Sequence, residues 1–172
     1  MTLADPSRKT WYRRVLGWLV QGLLLLAVVF LAHLWYTRDV VSGSAPPLVG
    51  RTLQGESFDL FEARTKPLVV HFWATWCPVC RLELGNIAGL QADHRIISVA
   101  MLSGSDQEVL AYLKDQGLDL PVISDPEGKL AGRWGVTGVP ATFVLDAKDM
   151  IRFVEVGYTT SLGLRARLWL AQ

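Results

Sequence analysis

Only two cysteines and three histidines occur in the 172 residues, and neither sign of charge dominates, with 17 basic against 16 acidic side chains. A zinc centre needs about four sulfur or imidazole ligands, and these residues do not furnish one. A net charge of +1 supplies no broad basic footprint, so no nucleic-acid partner is expected. No internal repeat is present, and no metal or other cofactor is expected. The length suits one ordinary domain with an accessory segment.

Charge is missing altogether from Val15 to Tyr36 (VLGWLVQGLLLLAVVFLAHLWY), with His33 counted neutral. A helix of that length covers roughly 33 Å, enough for a bilayer's hydrocarbon core. Trp11, Tyr12 and Trp18 near one end and Trp35 and Tyr36 at the other suit the two interfaces. Arg8, Lys9, Arg13 and Arg14 precede the run against Asp5 alone, while Arg38 and Asp39 after it cancel. The positive-inside rule then predicts a cytoplasmic tail over 1–14, a transmembrane helix over 15–36 and an exported remainder. A cleaved signal peptide is the alternative, with Ser42-Gly43-Ser44-Ala45 as its cleavage site, but signal apolar regions are shorter, about 7–15 residues. Residues 37–45 read as a linker that small residues and the prolines Pro46 and Pro47 punctuate.

Residues 46–172 alternate between two periodicities. Arg51 to Leu60 carries a Gln-Gly turn between short runs, a hairpin signal. Pro67–Trp73 (PLVVHFW) and Arg95–Leu102 read as strands buried on both faces. Helical spacing recurs over Arg81–Ala92, Asp106–Gln116, Pro126–Trp134 and Thr160–Leu170. In the last of these, Leu162, Leu164, Leu168 and Trp169 are the expected core contacts. Leu120–Ser124, Ala141–Leu145 and Ile151–Val156 complete the strands. The pattern predicts an α/β mixed-sheet sandwich closed by an antiparallel pair, with an extra hairpin in front.

Trp76-Cys77-Pro78-Val79-Cys80 follows a buried strand and opens a helix. At that helix start, unpaired N–H groups and the positive dipole end favour a Cys77 thiolate. Pro78 suits the first turn, where its missing N–H has no partner to lose. Cys80, one turn on, is placed to resolve a mixed disulfide formed on Cys77. A purely structural disulfide would close a tiny loop with little entropic effect. Copper(I) held by the two thiolates is the rival from another class, weak without a third soft ligand.

The run Phe72-Trp73-Ala74-Thr75-Trp76-Cys77-Pro78-Val79-Cys80-Arg81-Leu82-Glu83 resembles the active-site signature of thioredoxin-like proteins of the TlpA/ResA type. Gly135-Val136-Thr137-Gly138-Val139-Pro140-Ala141-Thr142-Phe143-Val144-Leu145-Asp146 resembles the same family's cis-proline segment. The single anchor and CPVC motif look most like the suppressor of copper sensitivity D (ScsD) branch. This resemblance implies a thioredoxin-like fold and a thiol–disulfide oxidoreductase outside the cytoplasm. It implies that Pro140 is cis, that Val139 pairs its backbone with a substrate strand, and that a DsbD-type membrane donor returns electrons. Trp76 and Pro78 would meet protein disulfide or dithiol substrates. Glu83 sits where some relatives carry an acid that assists proton movement. His71 stands where thioredoxins themselves have a buried aspartate, and an imidazole there could take or give the resolving thiol's proton near neutral pH. Reduction of protein disulfides is the expected direction, with disulfide donation as the alternative. His94, in a polar loop, is given no role.

Overall fold

The computed structural model describes residues 6–37, 41–62 and 66–172, and within the first helix it describes the side chains of 16–31. The chain divides into two compact units, Met1–Arg38 and Asp39–Gln172.

The first unit is a helix, α1 (Pro6–Thr37). Its described side chains, Leu16 to Leu31, are all exposed. Among the described residues no helix is long and apolar enough to cross a membrane. Positions 16–31 alone would reach about 24 Å as a helix, short of the roughly 30 Å of a hydrocarbon core. The expected transmembrane helix is therefore not found there. The side chains of the basic tail over 1–14, those at both ends of the 15–36 span, and Arg38 and Asp39 lie outside the described residues.

The second unit contains β1 (Gly43–Ser44), β2 (Val49–Arg51), β3 (Ser57–Asp59), β4 (Leu68–Trp73), α2 (Pro78–Ala88), β5 (Arg95–Met101) and α3 (Asp106–Asp115). After these come β6 (Val122–Asp125), α4 (Lys129–Arg133), β7 (Ala141–Leu145), β8 (Met150–Val156) and α5 (Ser161–Leu170). Six strands form one sheet in the order β1-β8-β7-β4-β5-β6. β4, β5 and β6 run parallel, while β7, β8 and β1 join antiparallel. The expected front hairpin is β2–β3, a separate two-stranded sheet. Gly55 takes its turn at φ +91°, a region that costs glycine nothing. Gly43 and Ser44, in the segment read as linker, pair with Ile151 and Met150.

β4 is buried at every position, as its near-continuous apolar run predicts. Its side chains alternate between two packed layers. Val69 and Trp73 meet α2, α3 and α5 through Leu84, Ile87, Val109, Leu113, Leu164 and Leu168. Leu68, Val70 and Phe72 meet the other layer, built on Trp134, Phe143, Leu48 and Leu60. This is a thioredoxin-like mixed sheet between helices.

Two expectations fail here. α5 buries Leu164 and Leu168, but Leu162 is 78% and Trp169 71% exposed. Positions 164 and 168 share a face at i, i+4, and burying each is worth about 2 kcal/mol. Leu162 and Trp169 lie well around the helix from that face. The helix expected over Pro126–Trp134 is shortened to α4 because Gly128 adopts φ +68°, while Asp125 Oδ2 accepts the Ala131 N–H at 2.9 Å.

Candidate functional site

The last residues of β4 lead through Ala74–Trp76 into α2, and Cys77 is that helix's N-cap. Its sulfur accepts the Cys80 backbone N–H at 3.1 Å, so one otherwise unpaired helix donor already points at it. Pro78 occupies the first helical position and is exposed. Cys77 and Cys80 form a disulfide with Cα atoms 5.3 Å apart. Cys77 keeps 5% exposure and Cys80 none. An incoming sulfur can therefore reach Cys77 and not Cys80.

The Val139–Pro140 bond is cis, and the Val139 carbonyl oxygen lies 3.6 Å from Cys77 Sγ. Pro140 is buried, and its carbonyl accepts the Gly157 N–H at 2.8 Å, fastening the segment to β8. Trp76 is exposed, yet its Nε1–H donates to the Leu102 carbonyl at 2.9 Å, and the Thr75 N–H donates to Ser103 Oγ at 3.1 Å. Leu102 itself holds φ +49°, a left-handed conformation that leucine rarely adopts. The loop after β5 is thus a support for the active-site turn. Sequence reasoning missed it, because the two segments meet only through the fold.

His71 and Glu83 are both fully buried. His71 projects from β4 to the same side as Val69 and Trp73, toward the layer that holds Cys80. Its Nδ1 shares a 2.9 Å hydrogen bond with Thr142 Oγ1, while Nε2 has no protein partner. Burial pushes the imidazole down to about 3 from an ordinary 6.5, so it is neutral through the working range. Glu83, three residues after Cys80 on α2, has no formed hydrogen bond to either carboxylate oxygen. Burial pushes its carboxyl up to about 7; the nearby Thr159 backbone pulls it down and the charge of Glu155 adds to the rise. Among the described residues, no group of three or more His, Cys, Asp and Glu side chains is arranged to hold a metal ion.

Residues 41–154 match the AhpC/TSA family. A thioredoxin-like protein of Haemophilus influenzae is 34% identical over 137 residues, which is 78% of this chain and 81% of that protein. The thiol:disulfide interchange protein DsbE of Xylella fastidiosa is 33% identical over 116 residues, 66% of this chain and 57% of its own length. Among solved structures, a thiol:disulfide interchange protein of the thioredoxin family from Chlorobium tepidum superposes with a TM-score of 0.66 at 28% identity. That match covers 77% of this chain and 98% of the other.

Proposed function

This chain belongs to the AhpC/TSA family and is a thiol–disulfide oxidoreductase, and we propose that it reduces protein disulfides outside the cytoplasm while tethered to the inner membrane. The observation that carries the reading is the asymmetric pair at the start of α2. Cys77 is reachable, sits at the helix N-terminus and lies beside a cis-proline loop, while Cys80 is sealed behind it. In this reading the Cys77 thiolate attacks a substrate disulfide and expels one substrate thiolate. Cys80, once deprotonated, attacks Cys77 Sγ and releases the second. Two electrons pass to the substrate, and the Cys77–Cys80 disulfide is left for a DsbD-type donor to reduce.

In this reading Trp76, Pro78 and Val139 would meet a substrate strand, with the buried Pro140 behind Val139. Between His71 and Glu83, Glu83 suits the proton better. A carboxyl near 7 can both take and return a proton at neutral pH, whereas an imidazole held near 3 is too weak a base for a thiol. His71 would then act through packing and its Thr142 bond. The finer assignment, to the ScsD branch, rests on the CPVC motif with a single apolar N-terminal run.

The reduction potential tests the direction. A value near −270 mV fits a reductase, and one near −120 mV would make the protein a disulfide donor instead.

The tether rests on the uncharged run from Val15 to Tyr36 and on the exposure of every described side chain in it, Trp18 at 76% and Leu23 at 71% among them. Leaving so much apolar surface in water costs about 25 cal/mol per Å², which a bilayer would relieve. Alkaline phosphatase fused after Gln172 should be active in a bacterial host. An inactive fusion beside an active cytoplasmic reporter at the same site would reverse the topology.

A further inference from the structure

One face of the sheet carries a polar row through an otherwise apolar layer. In the strand register, His71 of β4 lies opposite Thr142 of β7, and Thr142 lies opposite Glu155 of β8. Directly opposite residues point to the same face. The neighbours two positions away, Val69, Trp73, Val144 and Phe153, all pack into the layer that holds Cys80 and Leu84 of α2. From α5, Arg167 Nε reaches Glu155 Oε1 at 2.5 Å, and its guanidinium also donates to the Gly163 carbonyl at 2.9 Å. Both partners of this ion pair are half-buried, their side chains 29% exposed. The row therefore runs from the buried imidazole outward to a partly solvated pair.

Glu83 enters the same layer from α2 with both oxygens unpartnered. We infer that Glu155, held by Arg167, is a positioning residue that sets how readily Glu83 takes and returns the proton of the resolving thiol. This rests on the reading of Cys80 and Glu83 given above. In the step concerned, Cys80 S–H passes its proton to the Glu83 carboxylate. The Cys80 electron pair forms the bond to Cys77 Sγ, and the mixed disulfide breaks with its electrons on the substrate sulfur. That sulfur then takes up a proton from Glu83 or from water.

The polar and titratable groups on this face are Cys80 and Glu83 of α2, the neutral His71 of β4, Glu155 of β8 and Arg167 of α5, and the Thr159 backbone also acts on the Glu83 carboxyl. Arg165 of α5 is turned away to Asp93 at 2.7 Å, and the Tyr158 hydroxyl accepts from Asn86 at 3.1 Å. Glu155 is a carboxylate whose charge adds to the rise at Glu83, and Arg167, paired with Glu155, would offset it. An uncompensated Glu155 would hold the Glu83 proton more tightly, and a neutral residue there would let it go.

The test is a carbon-13 carboxyl titration of Glu83 in the full-length oxidised protein in detergent. Glu155→Gln should lower the midpoint by about half a pH unit or more, and Arg167→Met should raise it by a similar amount. Arg167→Lys should restore most of the parent value. The pH profile of mixed-disulfide release should move in the same direction as each midpoint. A Glu83 midpoint that does not move in Glu155→Gln overturns the inference. The titration needs no substrate, so a failed reductase assay and a failed coupling are told apart.

Discussion

Replacing Cys77 by serine should lower protein-disulfide reduction by roughly three orders of magnitude or more, because the attacking group is then gone. Cys80→Ala should behave differently. The first attack would survive, but the mixed disulfide on Cys77 could no longer be resolved and should accumulate. The distinction follows from exposure, since Cys77 touches solvent and Cys80 does not. It also follows from the helix start, where the Cys80 N–H already donates to Cys77 Sγ and would favour the thiolate form there. Non-reducing gels of each variant mixed with an oxidised protein substrate make the check. Adducts on Cys77→Ser, or none on Cys80→Ala, would reverse the assignment.

The second large effect is on stability against pH, and it separates His71 from Glu83. His71 resists protonation until about pH 3 in the fold, whereas an unfolded chain takes up that proton near 6.5. Between those values the unfolded state binds more protons, so stability falls as pH is lowered, by about 1.4 kcal/mol per unit. Glu83 acts in the opposite sense. Its folded carboxyl keeps its proton up to about 7 against an ordinary 4.5, so its contribution is full below 4.5 and is lost as pH rises through 7. From 6.5 to 4.5 the two slopes oppose each other, and below 4.5 His71 acts without that offset. His71→Leu should therefore change the shape of the curve. Relative to the parent, the variant should gain about 4–5 kcal/mol between pH 7 and pH 3. Other carboxylates largely cancel in that difference. Urea melts across the range would show it, and parallel curves for parent and variant would mean that His71 is not the group responsible.

Much of the fold was legible because its strands are buried in a way that leaves a mark on composition. The run Pro67–Trp73 reads as a strand covered on both faces, and β7 occupies the very residues, Ala141–Leu145, expected to form it. The cysteine pair was legible because a strand, a helix start and Pro78 are all local. α5 was read less well. It carries apolar residues around much of its circumference, so spacing alone could not say that Leu164 and Leu168 face inward while Leu162 and Trp169 do not. α4 was read too long because the left-handed turn at Gly128 depends on Asp125 holding Ala131. Thr142, Glu155 and Arg167 gave almost no signal. A threonine inside ATFVL and a glutamate inside RFVEV are unremarkable until the register sets them in line with His71. That alignment links residues 71, 142 and 155, and no window of sequence contains all three.

The strained loop after β5 bears on how a partner would be met. Holding leucine at a positive φ costs roughly 1–2 kcal/mol. At Leu102 the conformation is kept by the N–H bond to the Asp125 carbonyl on one side and the Trp76 indole on the other. The indole is thereby tied to the loop before any protein would arrive. Fixing a free side chain at an interface removes about 0.5–1.5 kcal/mol of rotamer freedom. Here that freedom would be surrendered once, during folding, and each later encounter would begin with the tryptophan set in place.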